Sequence, residues 1–149
     1  GGRVHELRLR EGAAIKGRLV KDGQPVGGVE IGISGADRSS DVYVGDFSVG
    51  TDKDGEFFLA NLPPNRDYFV YAKMSSLAGQ GAVTARRVRL NDDGSVLDVV
   101  EVSVTPGFKL EGLIRLTDGE PVPAKTRVLL SREEAWDSTQ TEADEHGRF

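Results

Sequence analysis

Cysteine is absent from the 149 residues, which excludes disulfide staples and thiolate metal sites together. Histidine occurs twice, as His5 and His146, and neither has a partner at ligand spacing, so no metal site is expected. No apolar run approaches the roughly 20 residues of a helical membrane span, so no direct membrane insertion is expected. Positive charge is in deficit: Lys and Arg number 19 against 24 Asp and Glu, for a net charge of −5 and a pI near 5.1. That balance argues against nucleic acid as a partner, since such binding needs a basic face. Ser39-Ser40 and Ser75-Ser76 have no nearby histidine to serve as base and no nucleophile-elbow pattern around them. Catalytic residues: none are expected. Cofactors: none are expected.

What the chain does have is 19 glycines and 6 prolines, set between short Val/Ile/Leu/Phe runs. This is the pattern of an all-β domain rich in turns. Ala13 to Lys21 reads as a first strand, followed by a tight turn at Asp22-Gly23-Gln24-Pro25. Val29, Ile31 and Ile33 alternate with polar or small residues, as in a half-buried strand. Val42 and Val44 are out of phase with Phe47 and Val49, which predicts a bulge near Gly45-Asp46. Asp52-Lys53-Asp54-Gly55 is a hairpin turn, with Phe57, Leu59 and Leu62 inward beyond it. Tyr68, Val70 and Ala72 are read as inward, and Phe69, Tyr71 and Lys73 as outward. Strands over Ala82 to Leu90 and Val96 to Val104 follow, and no segment shows helical periodicity. About seven strands separated by turns predict an antiparallel Ig-like β-sandwich.

The chain also repeats itself. Gly17-Arg18-Leu19 through Asp22-Gly23-Gln24-Pro25-Val26 returns as Gly112-Leu113-Ile114 through Asp118-Gly119-Glu120-Pro121-Val122, at a spacing of 95 residues between the glycines. Thr51-Asp52-Lys53-Asp54-Gly55-Glu56-Phe57 returns as Ala143-Asp144-Glu145-His146-Gly147-Arg148-Phe149. A period of this size is a whole domain. The expected organisation is therefore tandem. Residues 1–11 form the last strand of a preceding repeat or a lead-in strand, since Val4 to Arg10 precedes Gly12 as Val102-Ser103-Val104 precedes Gly107. Residues 12–106 form a complete sandwich, and residues 107–149 the first half of a further repeat, cut short. The copies differ most in the loop after the second core strand, and such loops usually carry function.

The run from Gly17 to Val29, with Thr51 to Pro64 and Tyr68, resembles the carboxypeptidase regulatory-like domain, a transthyretin-like or prealbumin-like β-sandwich. The resemblance covers residues 12–106 fully and 107–149 partly. It implies a non-enzymatic accessory module, spacing or regulating a larger secreted or cell-surface bacterial protein. Its partner would be the rest of the parent polypeptide, and its location extracytoplasmic. Related collagen-adhesin repeats carry a Lys–Asn isopeptide crosslink. No such Lys and Asn stand at the matching strands here, so none is carried over.

Within that frame Asp52 is expected to accept hydrogen bonds from its own turn, and Tyr68 to form a tyrosine corner. Arg86, Arg87 and Arg89 read as a charged, protected edge. Trp136, in the polar stretch Ser131 to Asp137, and Tyr43 and Phe47, near the corresponding loop of the first copy, are the candidate ligand-facing residues. The alternative function they suggest is a glycan- or peptide-binding module, because an aromatic face suits a sugar ring.

Overall fold

The computed structural model of the chain describes residues 8–9, 11–37, 47–135 and 137–149. Two sheets form a sandwich over residues 13–103. In the first, β1 (Ala13–Lys21) pairs antiparallel with β5 (Glu56–Leu62) and, at its end, with the two-residue β2 (Gln24–Pro25). β8 (Val96–Ser103) runs parallel to β1. The second sheet has the order β4 (Phe47–Gly50), β3 (Glu30–Gly35), β6 (Arg66–Ala72), β7 (Arg86–Leu90), with every neighbour antiparallel. The expected all-β sandwich is thus present, with one parallel pair that the alternation pattern could not reveal.

Period-2 alternation places one face of each strand inside. All ten residues that the alternation singles out, Ile15, Leu19, Val29, Ile31, Ile33, Phe57, Leu59, Leu62, Tyr68 and Val70, are buried in one cluster. Gly17 makes room at its centre. A Cβ there would lie 2.6 Å from Val99 Cγ2 and 2.8 Å from Phe57 Cζ. Opposite Gly17 the β1–β8 register slips between Lys16 and Arg18. The extra residue lets Val99 and Val102, three apart, both point inward. It also leaves Val100 at φ +61, with its N–H donated to Asp98 Oδ1 at 2.8 Å. That bulge, with Asp98 and Glu101, roughens an edge strand that would otherwise invite pairing.

The turn chemistry follows the sequence closely. Asp52 Oδ1 accepts from the amides of Asp54 (2.9 Å) and Glu56 (2.8 Å). The Tyr68 hydroxyl donates to Pro63 O at 2.7 Å, completing the tyrosine corner. Burial pushes the pKa of that hydroxyl up, against the opposing charge of Arg66.

Five expectations need correction or placement. The strand expected over Ala82 to Leu90 shortens to β7, and Ala82 bridges Thr105 instead. A one-turn helix, α1 (Met74–Leu77), stands where no helix was expected, because Leu77 turns into the core after β6. Tyr71 sits on the outward face of β6, yet it is fully buried. The bulge near Gly45-Asp46 lies outside the described residues. So does most of the lead-in strand, of which only Arg8 and Leu9 are described, neither in a strand.

The C-terminal segment, residues 107–149, makes backbone bonds that parallel those of the sandwich. Leu19 N–H donates to Gly55 O (2.8 Å), and Ile114 N–H to Gly147 O (2.9 Å). Asp144 Oδ1 accepts from His146 (2.8 Å) and Arg148 (2.9 Å), as Asp52 does from Asp54 and Glu56. These two amide bonds, with Arg148 first, hold the Asp144 carboxyl below the usual carboxylate range. Strands β9 (Arg127–Ser131) and β10 (Ser138–Glu142) pair antiparallel, with Arg127 facing Glu142 where Glu30 faces Gly50. Gly28 N–H donates to Thr51 O, and Lys125 N–H to Ala143 O, both at 2.9 Å. Gly28 has φ +77 and Lys125 φ +67, so a side chain occupies a left-handed position that suits glycine. Lys125→Gly should therefore stabilise the β9–β10 hairpin by about 1 kcal/mol, read as slower amide exchange across Val128 and Leu130. Faster exchange would show that the lysine side chain has a stabilising role of its own.

Candidate functional site

The most developed polar arrangement outside the sandwich core joins the C-terminal segment to the second sheet. Gly32 and Ser34 face outward from β3, beside Tyr71 and Phe69 of β6 in register. A Cβ on Gly32 would lie 2.6 Å from the Tyr71 ring, so the tyrosine lies flat across the glycine. An outward face of this kind is normally wet, but Gly32, Ser34 and Tyr71 are all buried. The loop between β9 and β10 lies over it: Ser34 Oγ donates to Glu134 O at 2.8 Å, and Ala135 is buried.

Charge closes this joint. Arg132 Nε lies 3.3 Å from Asp137 Oδ2, with side-chain exposures of 16% and 3%. The same Arg132 donates through Nη1 to Val83 O at 2.6 Å. The Asp137 carboxylate accepts the Met74 N–H, at 3.2 Å to Oδ1 and 3.1 Å to Oδ2. Each charged group is thus bound both to the other and to backbone of the sandwich, which offsets the cost of removing the pair from water. We call this arrangement the latch.

The residues singled out from the sequence are differently placed. Tyr43 and Trp136 lie outside the described residues. Phe47 begins β4 and is 39% exposed, in register with Ile33. The latch residues Arg132 and Asp137 were missed, although they lie in the same variable loop that drew attention to Trp136. Their signal was the loop itself, since nothing in its charge pattern distinguishes a buried pair from a solvated one.

The basic stretch on β7 is engaged within the protein. Arg86 Nη1 donates to Val99 O (2.8 Å), bridging the two sheets. Arg87 and Arg89 both grip Asp67, at 2.7 and 3.2 Å. Their hydrogen bonds, Arg87 first, hold the Asp67 carboxyl below the usual carboxylate range near about 3.9. A lowered folded-state pKa means stability that is complete above the unfolded value and lost as pH falls through the folded one. Urea midpoints should therefore drop between pH 5 and pH 2, and Asp67→Asn should flatten that drop. An unchanged slope in the variant would assign acid sensitivity to other carboxylates, Asp98 and Asp144 first.

On the outer face of the first sheet, Lys16 Nζ lies 3.2 Å from Asp98 Oδ2, both half-exposed. Arg18 lies 3.5 Å from Glu56. These are solvent-facing ion pairs of small energetic weight, and Lys16–Asp98 is not a buried crosslinking site. With Phe58 and Val100 they line an open groove of about 580 Å³. Among the described residues no group of three or more His, Asp or Glu side chains is placed to hold a metal ion, and no helix is long and apolar enough to cross a membrane.

No protein-family model matches the chain, and no curated protein matches it. Solved structures do. A streptococcal ancillary pilin is 21% identical, with a TM-score of 0.47, covering 93% of this chain and 49% of its own. The shaft pilin SpaA of Lactobacillus rhamnosus GG is 15% identical, with a TM-score of 0.46, over 66% of this chain and 47% of its own. The Bacillus anthracis TIE protein is 14% identical, with a TM-score of 0.44, over 93% of this chain and 26% of its own. The chain thus spans about half the length of the two pilins or less.

Proposed function

We propose that this chain is a non-enzymatic accessory module of a larger secreted or cell-surface bacterial protein, acting as a stiff spacer. In this reading residues 12–106 are one complete sandwich repeat, and residues 107–149 belong to the next. The parallel hydrogen bonds of Asp52 and Asp144, and of Leu19 and Ile114, support that division. The observation that carries the function is the latch. A flexible tether needs no buried ion pair bound to backbone on the neighbouring unit; a joint of fixed angle does.

The test is orientational. Residual dipolar couplings from the sandwich and from β9–β10 should fit one alignment tensor in the unaltered chain. In Asp137→Ala the two should diverge, because Arg132 loses its counter-charge and Met74 its acceptor. Independent tumbling of the two parts in the unaltered chain would overturn the spacer reading.

A further inference from the structure

In a parallel pair, the start of one strand and the end of the other lie at opposite ends. The chain enters β1 at Ala13 and leaves its parallel neighbour β8 at Ser103. Tension along the chain therefore draws β1 backward and β8 forward. The bonds of a parallel ladder are evenly spaced along the strands, so they take this load together. An antiparallel pair would put both load points at one end, where tension peels the bonds one at a time. Both points are also tied beyond the ladder. Just ahead of β1, Gly94 N–H donates to Gly12 O at 2.9 Å, and Ala14 N–H donates to Ser95 O at 2.8 Å. Just past β8, Val104 N–H donates to Val20 O at 2.7 Å, and Thr105 and Ala82 exchange two backbone bonds of 2.8 Å.

The pair is keyed against sliding as well. On its inner face β1 presents Ile15, Gly17 and Leu19, and β8 presents Leu97, Val99 and Val102. Val99 fills the notch at Gly17, where a Cβ would lie 2.6 Å from its Cγ2. Tension moves β8 toward its own C-terminus and drives Val99 against Leu19, one inward position or roughly 7 Å further along β1. Leu19 is fully buried, and a close-packed core leaves it no room to yield. The bulge fixes Val99 in place. Asp98 Oδ1 accepts the Val100 N–H at 2.8 Å, and Asp98 Oδ2 lies 3.2 Å from Lys16 Nζ on β1. From the other sheet, Arg86 Nη1 donates to Val99 O at 2.8 Å.

We propose that the sandwich bears tension along the chain, with β1 and β8 as a shear clamp and Val99 in the Gly17 notch as its stop. This role deepens the spacer reading and rests on it for the direction of load, since a spacer is pulled through the chain on either side of the sandwich. It does not rest on the latch, which holds the second sheet through Met74 and Val83 and lies off the β1–β8 pair.

A chain without cysteine can be given thiol handles at chosen points for single-molecule pulling. Glu11→Cys with Pro106→Cys in the full chain applies the shear. Glu11→Cys with Val96→Cys pulls on neighbours at one end of the pair, since Val96 is in register with Ala14. All three positions are exposed. At the same pulling speed, the unfolding force in shear should exceed that of the same-end pull several-fold. Val99→Ala should bring the shear force most of the way down to the same-end value. Val70→Ala removes the same side chain from a similarly buried site in the second sheet. It should lower the urea midpoint as much while keeping most of the shear force, because forced unfolding follows the unfolding rate rather than the equilibrium stability. Equal forces in the two directions, or equal losses of shear force in the two variants, overturn the inference. The comparison of directions leaves the core unaltered, so it decides the matter even where a core variant fails to fold. Because the alignment test above reports on the latch alone, the fixed joint can stand while the clamp falls, and the reverse.

Discussion

Replacing Phe57 by alanine should cost the sandwich about 3–5 kcal/mol. Its ring is buried against Gly17 and beside Val99, so truncation opens a void where the two sheets meet. Neighbours cannot easily close it, since Gly17 has no side chain to move. The counterpart Phe149 packs on Gly112 in the same way but is only half-buried, so Phe149→Ala should cost a fraction of that. Urea midpoints at constant slope would measure both. Equal costs would mean that burial in the C-terminal segment is as complete as in the sandwich.

Gly55→Ala should rank next, at about 3 kcal/mol. Two effects add. Gly55 has φ +74, a conformation that costs a residue with a Cβ about 1–2 kcal/mol. The new Cβ would also lie 2.5 Å from Leu19 O and 3.1 Å from Val26 N, inside the turn where the Val26 N–H donates to that carbonyl at 3.0 Å. Gly23 separates the two effects. Its φ is +76, yet nothing lies within 4 Å of its missing Cβ, so Gly23→Ala should lose only the conformational part. If both variants melt alike, the hairpin has room to shift and the crowding contributes nothing.

Local chemistry was legible in the sequence, and distant cover was not. The Asp52 turn, the Tyr68 corner and the ten inward core residues depend on neighbours along the chain or on simple alternation, so reading residues in order suffices. Tyr71 defeated that reading. Alternation correctly assigns it to the outer face of β6, but whether an outer face meets water depends on what arrives more than sixty residues later. Gly32 was the available clue, since a glycine in mid-strand marks a close approach; Leu129 occupies the matching position of β9 and is exposed. Arg132 and Asp137 were hidden for a related reason. Their composition is that of any polar loop, and only the partners Met74 and Val83 make them structural. Of the aromatic candidates, Phe47 alone is described, and its half-exposure reflects its place at the start of an edge strand.

The tyrosine laid across Gly32 also has a consequence for the order of events during synthesis. A chain leaving the ribosome presents Thr105 well before Asp137, so the sandwich can close while its second sheet still shows a bare aromatic patch. Transiently exposed apolar surface of this kind is what chaperones hold, and it is covered when the β9–β10 loop emerges and settles. Nascent chains stalled just after Pro106 should therefore be held longer than chains stalled after Phe149 has cleared the exit tunnel.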